Sequence, residues 1–336
     1  MTKLRSFIRP GLLAELKQKK DILLTRVPNE TGLRTRLFEA ANLDAAYHSR
    51  ITEPDHAERS RRVGRKRDFR EVIGNLREAK RYADNNFNGA LDDVFIFNVA
   101  RTIDPKLSKG YRTDNVRISG YSDCGANPLK ITEQMDALNQ IAVDPSIDPV
   151  ERAVLYHLHF LRIHPLHDGN GRTARFMQNF LLSIQGYAPA ILEPAERTFY
   201  NDLIHKARRG FKEREALGDI RAPELMGIPP DPQGPESEFA HFMATKVNIG
   251  MDRLVGDYEK IAKYTIQFTG YKNPDEVKGI KSSLVRYLAH SGRPFHVGIT
   301  DAKRGILELS AESSDVELDC FLAKRTPLKY RITRIC

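Results

Sequence analysis

The sequence has no tryptophan, few cysteines and no long uninterrupted hydrophobic run. The absence of tryptophan excludes nothing. The three cysteines, Cys124, Cys320 and Cys336, are widely separated and form no CxxC pair, which argues against a disulfide framework or a zinc site. No stretch approaches the roughly 20 apolar residues of a membrane span. The basic N-terminal stretch, interrupted by Pro10, lacks the apolar region of a secretory signal. We therefore expect a cytoplasmic protein without a membrane segment.

The net charge of +9 raises the question of a nucleic-acid partner. The densest basic run extends from Arg59 to Arg70, follows Pro54 and contains Gly64, so a loop is expected there. Between Arg59 and Arg67 no aromatic residue alternates with these charges, as a platform for single-stranded nucleic acid would require. A solvated basic linker is the simplest interpretation, and contact with RNA, DNA or an acidic protein is left open.

The most informative stretch reads His164-Pro-Leu-His-Asp-Gly-Asn-Gly-Arg-Thr-Ala-Arg175. Apolar helical patterns flank it on both sides, and Pro165 should end the first helix. Gly169 and Gly171 allow a sharp turn that leads directly into the second helix. Because backbone N–H groups and the positive end of a helix dipole meet there, we expect a polyanion to bind.

The polar side chains of this stretch suit a phosphate-bearing ligand. Arg172 and Arg175 are three residues apart, so they share one face of the second helix and can fork onto phosphate oxygens. Asp168 offers a carboxylate oxygen of the kind that Mg²⁺ prefers. His164 is placed to accept a proton from an attacking hydroxyl. Each feature alone is common in turns and on surfaces, but their combination points to one site.

The stretch resembles the signature of the Fic family, His-x-Phe-x-(Asp/Glu)-Gly-Asn-Gly-Arg-x-x-Arg, with Leu166 in place of the usual Phe. The resemblance implies a helical bundle that transfers AMP from ATP to a Ser, Thr or Tyr hydroxyl of a target protein, with Mg²⁺ held by Asp168. His164 would be the general base. It also implies that the backbone N–H groups of Gly169 to Gly171 and the Asn170 side chain contact the α-phosphate. The β-phosphate would then fall to Arg172 and the γ-phosphate to Arg175.

Two further segments acquire roles through this resemblance. Alternation of Val116 and Ile118 with Arg117 and Ser119, between flanking glycines, predicts a β-hairpin. In Fic proteins a hairpin at this place is a flap that binds the target by strand addition, although an ordinary surface hairpin is the alternative. Tyr200 resembles the family's aromatic residue near the nucleobase, with a core tyrosine as the alternative.

An inhibitory helix is a weaker inference from the same family. Counting the spacing of the family's inhibitory pattern gives Ser49 and Glu53, with Pro54 where Gly or Asn is usual. In the family, the glutamate of this inhibitory pattern pairs with the second arginine of the signature, which is Arg175 in this sequence. A second alignment, through Ser49-Arg50-Ile51, instead puts Thr52 at the glutamate position. A plain surface role for Glu53 also stays open.

The predicted fold class is mainly α, a Fic-type helical bundle with a β-hairpin flap, followed by a small C-terminal mixed α/β module. The predicted domains are an N-terminal region (1–67), a catalytic core (68–226), a Pro/Gly-rich linker (227–238) and a C-terminal module (239–336). Helices are predicted at 11–24, 33–49, 68–84, 91–100, 148–163, 172–185, 194–209 and 239–264. Short segments at 295–299, 306–309 and 329–335 predict strands or a small winged-helix-like module.

Several functions remain after this reading. Transfer of another phosphate-containing group, or removal of AMP, would use the same residues. A non-catalytic nucleotide sensor that binds nucleic acid through its basic regions is the alternative from another class, but such a sensor has no use for His164. The sequence leaves open a homo-oligomer, and delivery into the cytosol of another cell as an effector.

Overall fold

The protein forms two compact units, Met1–Gln18 with Asn42–Met251 and Lys19–Ala41 with Asp252–Cys336. The sequence-based boundaries at 67, 226 and 238 stay predictions. The structure, a computed structural model, describes residues 6–26, 37–42, 45, 48, 69–105, 110–116, 125–218, 221–226, 231–259, 261–271, 273–290, 295–301, 303–311, 313 and 315–335.

Helices make up the described part of the chain before residue 260. They are α1 (Pro10–Arg26), α2 (Phe69–Asn86), α3 (Asp93–Ile103), α4 (Ile131–Val143), α5 (Pro149–Ile163), α6 (Asn170–Ile184), α7 (Arg197–Leu217), α8 (Ala222–Leu225) and α9 (Pro235–Glu259). Most of the predicted helices in this part are therefore confirmed. Helix α6 begins two residues earlier than predicted, at Asn170, and α7 continues beyond its predicted end to Leu217.

Helix α5 lies at the centre of the first unit. Its start follows from local sequence, since the Asp148 carboxylate accepts a hydrogen bond from the Val150 N–H at 2.8 Å and Pro149 occupies the first helical position. All of its side chains from Ala153 to Ile163 are buried. A helix that buries every face must be surrounded, and α5 packs against both α4 and α6. The residue that follows its last turn is His164.

Close packing of α9 against the segment after α6 gives one testable consequence. A Cβ atom on Gly250 would lie 2.6 Å from the Pro189 carbonyl oxygen and 3.0 Å from the Ala188 Cβ. We expect Gly250→Ala to lower the free energy of unfolding by about 1–3 kcal/mol, because the backbone must move to accommodate the methyl group.

The matched control is Gly74→Ala in α2, where an added Cβ would meet no atom within 4 Å. Alanine there should stabilise the protein by up to about 1 kcal/mol through helix propensity. Urea unfolding of both variants measures the difference. The same sign of change in the two variants would contradict the packing argument.

The second unit contains a four-stranded antiparallel sheet with the order β2–β3–β1–β4. Its strands are β1 (Ala262–Thr269), β2 (Phe295–Asp301), β3 (Ile306–Ala311) and β4 (Lys329–Ile335), with α10 (Pro274–His290) after β1 and α11 (Asp315–Arg325) after β3. The order β-α-β-β-α-β is that of the ferredoxin-like split βαβ arrangement. Ile266 of β1 lies opposite both Leu307 and Ile332, so β1 is an inner strand.

The predicted tail strands are confirmed, and the mainly α class with a small mixed C-terminal module is confirmed too. The predicted helix 239–264 is wrong at its end, because helix α9 stops at Glu259 and β1 begins at Ala262. The physical reason is visible in burial: Tyr264, Ile266 and Phe268 are buried while the residues between them are not. The winged-helix-like alternative is not what the described strands form.

Among the described residues, no helix combines the length and the apolar character needed to cross a membrane. Of the three cysteines, Cys320 lies in the described part of the chain, where it is an exposed free thiol.

Candidate active site

His164 occupies a strained backbone position at the end of α5. Its φ and ψ of 53° and 57° lie in the left-handed region, and its N–H donates to the Phe160 carbonyl at 2.9 Å. Among the residues that the structure describes, no other non-glycine residue has a positive φ. This conformation costs about 1–2 kcal/mol for a residue with a Cβ, and such strain is concentrated at functional sites.

The loop between α5 and α6 is closed by a reciprocal contact. The Asn170 amide donates to the Leu166 carbonyl at 2.7 Å and accepts from the Leu166 N–H at 2.9 Å. Leu166 itself is buried, as expected for the residue that anchors the loop. Each polar atom of this buried amide thus has one partner inside the loop, and a contact of the Asn170 side chain with phosphate stays a prediction.

The N–H of Gly169, the first of the predicted phosphate-facing amides, already has an acceptor in the structure. The Gly169 N–H donates to the Asp168 carboxylate at 2.7 Å, while Gly169 makes the turn with a φ of 77°. The first intrahelical bond of α6 runs from the Thr173 N–H to the Gly169 carbonyl. The N–H groups of residues 170–172 precede that bond, so the helix itself offers them no acceptor. They form the anion-binding end of α6.

Both arginines of the motif are buried in the first turn of α6. The Arg172 guanidinium donates to the Asp104 carboxylate at 2.9 Å, and both side chains are less than a tenth exposed. Arg172 is thus held in place by a carboxylate that sequence reasoning did not single out. The charge of Arg175 contributes to lowering the pKa of His157.

Electrostatics keep the His164 ring neutral. Burial is the main cause that lowers its pKa from the ordinary 6.5 to about 4, and the positive charges of Arg208 and Arg112 lower it further. A hydrogen bond with the Leu161 backbone and the charge of Asp168 act in the opposite direction without reversing the shift. At neutral pH the imidazole therefore has a free lone pair with which to accept a proton.

Asp168 is the one side chain of the motif suited to a metal ion. It is exposed, and the Gly169 N–H takes up one of its oxygens. In the described part of the chain, no group of three or more His, Cys, Asp or Glu side chains is arranged to hold a metal. Mg²⁺ usually takes one or two carboxylates and completes its coordination with water and phosphate oxygens, and Mg²⁺ at Asp168 stays a prediction.

Tyr200 is in the core. It is 3% exposed, and its hydroxyl lies 2.8 Å from the His157 Nε2, while the Nδ1 of the same ring contacts the Gln178 side chain. This geometry corresponds to the core-tyrosine alternative. A nucleobase contact of Tyr200 stays a prediction.

The predicted flap is described only at its beginning. Val116 is partly buried, is not in a strand, and its carbonyl accepts from the Gly125 N–H at 3.4 Å. The remaining flap residues, Arg117, Ile118 and Ser119, lie outside the described residues, as do the predicted inhibitory residues Ser49 and Glu53.

Two residues of the site were missed by sequence reasoning, Asp104 and Arg112. Asp104 follows α3 and contacts Arg172 across 68 positions of sequence. Arg112 is 2% exposed and donates to the carbonyl of His164 at 2.7 Å. A sequence signal was present in the second case only, as a charged residue at the start of the predicted hairpin.

Burial of neutral histidines predicts a pH-dependent stability. Desolvation is the main cause that lowers the pKa of His157 to about 3, well below its ordinary 6.5. The unfolded chain therefore binds a proton at His157 below about pH 6.5 while the folded chain does not, so this residue's contribution to stability is lost as the pH falls.

We expect the stability difference between the wild type and His157→Gln to shrink below pH 6.5 by up to about 1.4 kcal/mol per pH unit, and to be constant above about pH 7.5. Burial raises the pKa of Glu151 and Glu236, which acts with the opposite sign, but both groups are present in both proteins and cancel in the difference. Urea unfolding between pH 5 and 8 measures it. A difference independent of pH would show that His157 is not buried as a neutral ring.

The sequence was compared with models of protein families and with known proteins. Residues 91–182 match the model of the Fic/DOC family. The protein adenylyltransferase Fic of Nematostella vectensis is 31% identical over 153 residues, which are 43% of this chain and 35% of that protein. The protein adenylyltransferase fic-1 of Caenorhabditis elegans is 32% identical over 137 residues, 39% of this chain and 25% of that protein. The chain thus spans about a third or less of the length of these relatives.

Solved structures share the fold at lower identity. A fragment of Fic-1 from C. elegans has a TM-score of 0.54 at 21% identity, over 74% of this chain and 72% of that one. A Fic-domain-containing signalling protein from Bacteroides thetaiotaomicron has a TM-score of 0.53 at 19% identity, over 73% of this chain and 95% of that one. These likenesses concern the fold alone.

The described geometry is that of a helical domain in which a short loop joins two buried helices. Its residues 91–182 match the Fic/DOC family model, as the motif from His164 to Arg175 predicts.

Proposed function

We propose that this protein is a protein adenylyltransferase, which transfers AMP from ATP to a side-chain hydroxyl of a target protein. The observation that carries the proposal is the neutral His164, held in a left-handed conformation one short loop before the open N–H groups of α6. A base and an anion-binding helix end are the two elements that such a transfer requires. The names of the curated relatives support the same activity.

The chemistry uses His164 as a proton acceptor. The target hydroxyl oxygen forms a bond to the α-phosphorus of ATP, and the bond between that phosphorus and the bridging oxygen to the β-phosphate breaks. AMP stays on the target, pyrophosphate leaves, and the hydroxyl proton moves to the imidazole. Because the low pKa of His164 keeps the ring unprotonated, it is ready to act at neutral pH.

Phosphate binding falls to the first turn of α6. The N–H groups of residues 170–172 would take the α-phosphate, Arg172 the β-phosphate and Arg175 the γ-phosphate. Asp168 would hold Mg²⁺, which when bound neutralises phosphate charge. Since Asp104 already fixes Arg172 at 2.9 Å, this arginine needs little reorganisation to meet the nucleotide.

Target binding would involve the flap. The segment from Val116 to Ser119 would add a strand to the target backbone and so present its hydroxyl to His164. The partner is then a protein with an accessible hydroxyl side chain, and Tyr200 is retained as the candidate next to the nucleobase. The few, widely separated cysteines favour a cytoplasmic setting.

The proposal can be tested with ATP that carries an isotope label on one chosen phosphate. Incubation of the purified protein with Mg²⁺ and ATP labelled on the α- or the γ-phosphate should give covalent label from the α-position alone, on the protein itself or on an added target. Label from the γ-position would instead establish phosphoryl transfer. Measurable ATP binding without any label would overturn the transferase proposal in favour of a nucleotide sensor or another donor.

Autoinhibition is a second, separable part of the proposal. We assign the autoinhibition to Glu53, whose carboxylate would pair with Arg175 and obstruct the γ-phosphate. Only the sequence pattern with Ser49 supports it. Glu53→Gly should bind ATP more tightly and label faster than the wild type, and the matched Glu58→Gly should not. Equal ATP affinity in Glu53→Gly and the wild type would contradict autoinhibition by Glu53.

A further inference from the structure

Arg112 is a buried arginine whose side chain donates to four backbone carbonyls. Its Nε donates to the His164 oxygen at 2.7 Å and its Nη1 to the Asp114 oxygen at 2.6 Å. Its Nη2 donates to the oxygens of Ala126 at 2.5 Å and Ile163 at 3.2 Å. The guanidinium thus uses its fork geometry to connect three separate stretches of backbone.

The contacts with Ile163 and His164 are at the end of α5. The last carbonyls of a helix have no intrahelical donor and form the negative end of its dipole, which a cation satisfies. In addition, the Arg112 N–H donates to the Pro165 carbonyl at 2.9 Å. Arg112 therefore contacts the carbonyls of three consecutive residues, from the last residue of the helix to the residue after the general base. These contacts specify the left-handed turn at His164.

The remaining contacts are at the base of the predicted flap. Asp114 precedes residues 117–119 of that flap and Ala126 follows them, so the same guanidinium holds the two flanks. The Ala126 N–H also donates to the Ile163 carbonyl at 3.1 Å. The flanks of the target-binding segment and the end of α5 are therefore joined at one side chain.

Gly125 makes this arrangement sterically possible. A Cβ atom on it would lie 2.5 Å from the Arg112 Nη2, 3.0 Å from the His164 Cβ and 3.1 Å from the Ile163 carbonyl oxygen. Only a residue without a side chain lets the flap base approach the guanidinium and the histidine together.

We propose that Arg112 is a positioning residue for the transfer reaction, which fixes the general base His164 and the base of the target-binding flap in one arrangement. This inference rests on the proposed function. Arg112 makes its described contacts away from the first turn of α6, which binds the phosphates in that proposal. Its loss should therefore affect the transfer step and leave nucleotide binding intact.

The test compares Arg112→Lys with the wild type. Lysine keeps the positive charge but presents a compact ammonium group, which cannot reproduce a fork across four carbonyls. We expect kcat for labelling to fall by about 10²-fold, as for a displaced catalytic group, with the dissociation constant for ATP within about twofold of the wild type. Gly125→Ala should displace the Arg112 guanidinium without removing it, so we expect it also to lower kcat and to leave the dissociation constant for ATP unchanged.

Arg152→Lys is the matched control. Arg152 lies near the other end of α5, and its Nη1 donates a hydrogen bond to the Asp144 carbonyl at 3.0 Å. Like Arg112, it is therefore an arginine whose side chain binds a backbone carbonyl. It should label at the wild-type rate. The proposal is overturned if Arg112→Lys keeps kcat, or if kcat and ATP affinity fall in the same proportion, because general loosening of the fold would do the latter.

An NMR measurement that does not depend on enzymatic activity separates this inference from the proposed function. The His164 ring resonance, assigned by its absence in His164→Ala, can be followed by NMR with histidine-selective isotope labelling. It should shift in Arg112→Lys and not in Arg152→Lys. If the wild type does not label, the proposed function fails, and an unchanged His164 resonance in Arg112→Lys would overturn the positioning role separately.

Discussion

We expect His164→Ala to lower the rate of AMP transfer by about 10² to 10⁴ while ATP binding is retained, the loss typical of removing a general base. The imidazole is neutral because burial and the nearby Arg208 and Arg112 charges lower its pKa to about 4. Alanine cannot accept the hydroxyl proton, but the N–H groups of α6 that bind phosphate are unaffected. The measurement is the initial rate of α-label incorporation at saturating ATP, together with the dissociation constant for ATP.

His167→Ala is the control for this experiment. His167 lies in the same loop, three residues on, and is exposed. Its removal should leave the labelling rate within about twofold, because an exposed surface substitution rarely disturbs a fold. The melting temperatures of both variants, measured alongside, separate loss of the base from loss of the fold, because alanine at residue 164 must adopt the same left-handed backbone. Equal labelling by His164→Ala and His167→Ala would exclude His164 as the base.

Local chemistry explains which parts of this site are legible in the sequence. Asp148 followed by Pro149 determines where α5 begins, and Pro165 determines that it ends at Ile163. These signals act within a few residues of their effect. The alternation of Tyr264, Ile266 and Phe268 was equally local and marks β1, although the predicted helix extended as far as Tyr264.

Contacts between distant residues explain what could not be read. Asp104 reaches Arg172 only because α3 packs against α6. Arg112 reaches His164 across 52 positions of sequence. No periodicity or spacing reports such pairs.

Asp104→Ala should have the largest effect on stability, a loss of about 3–5 kcal/mol in the free energy of unfolding. Removing the carboxylate leaves the buried Arg172 guanidinium to be satisfied by weaker partners, and a buried charge that has lost its counter-ion is costly. Asp84→Ala is the contrasting control. It breaks the 2.6 Å ion pair with Lys80, whose two side chains are 45% and 27% exposed, and should cost no more than about 0.5 kcal/mol.

Removing the second charge distinguishes electrostatics from packing. In the double variant Asp104→Ala with Arg172→Met, neither charge of the pair is left, so we expect it to be more stable than Asp104→Ala alone, as replacements of buried ion pairs often are. Urea unfolding of the wild type, both single variants and the double variant closes the cycle and gives the coupling energy of the pair. A coupling energy near zero would mean that the cost of Asp104→Ala does not come from the charge that Asp104 places against Arg172.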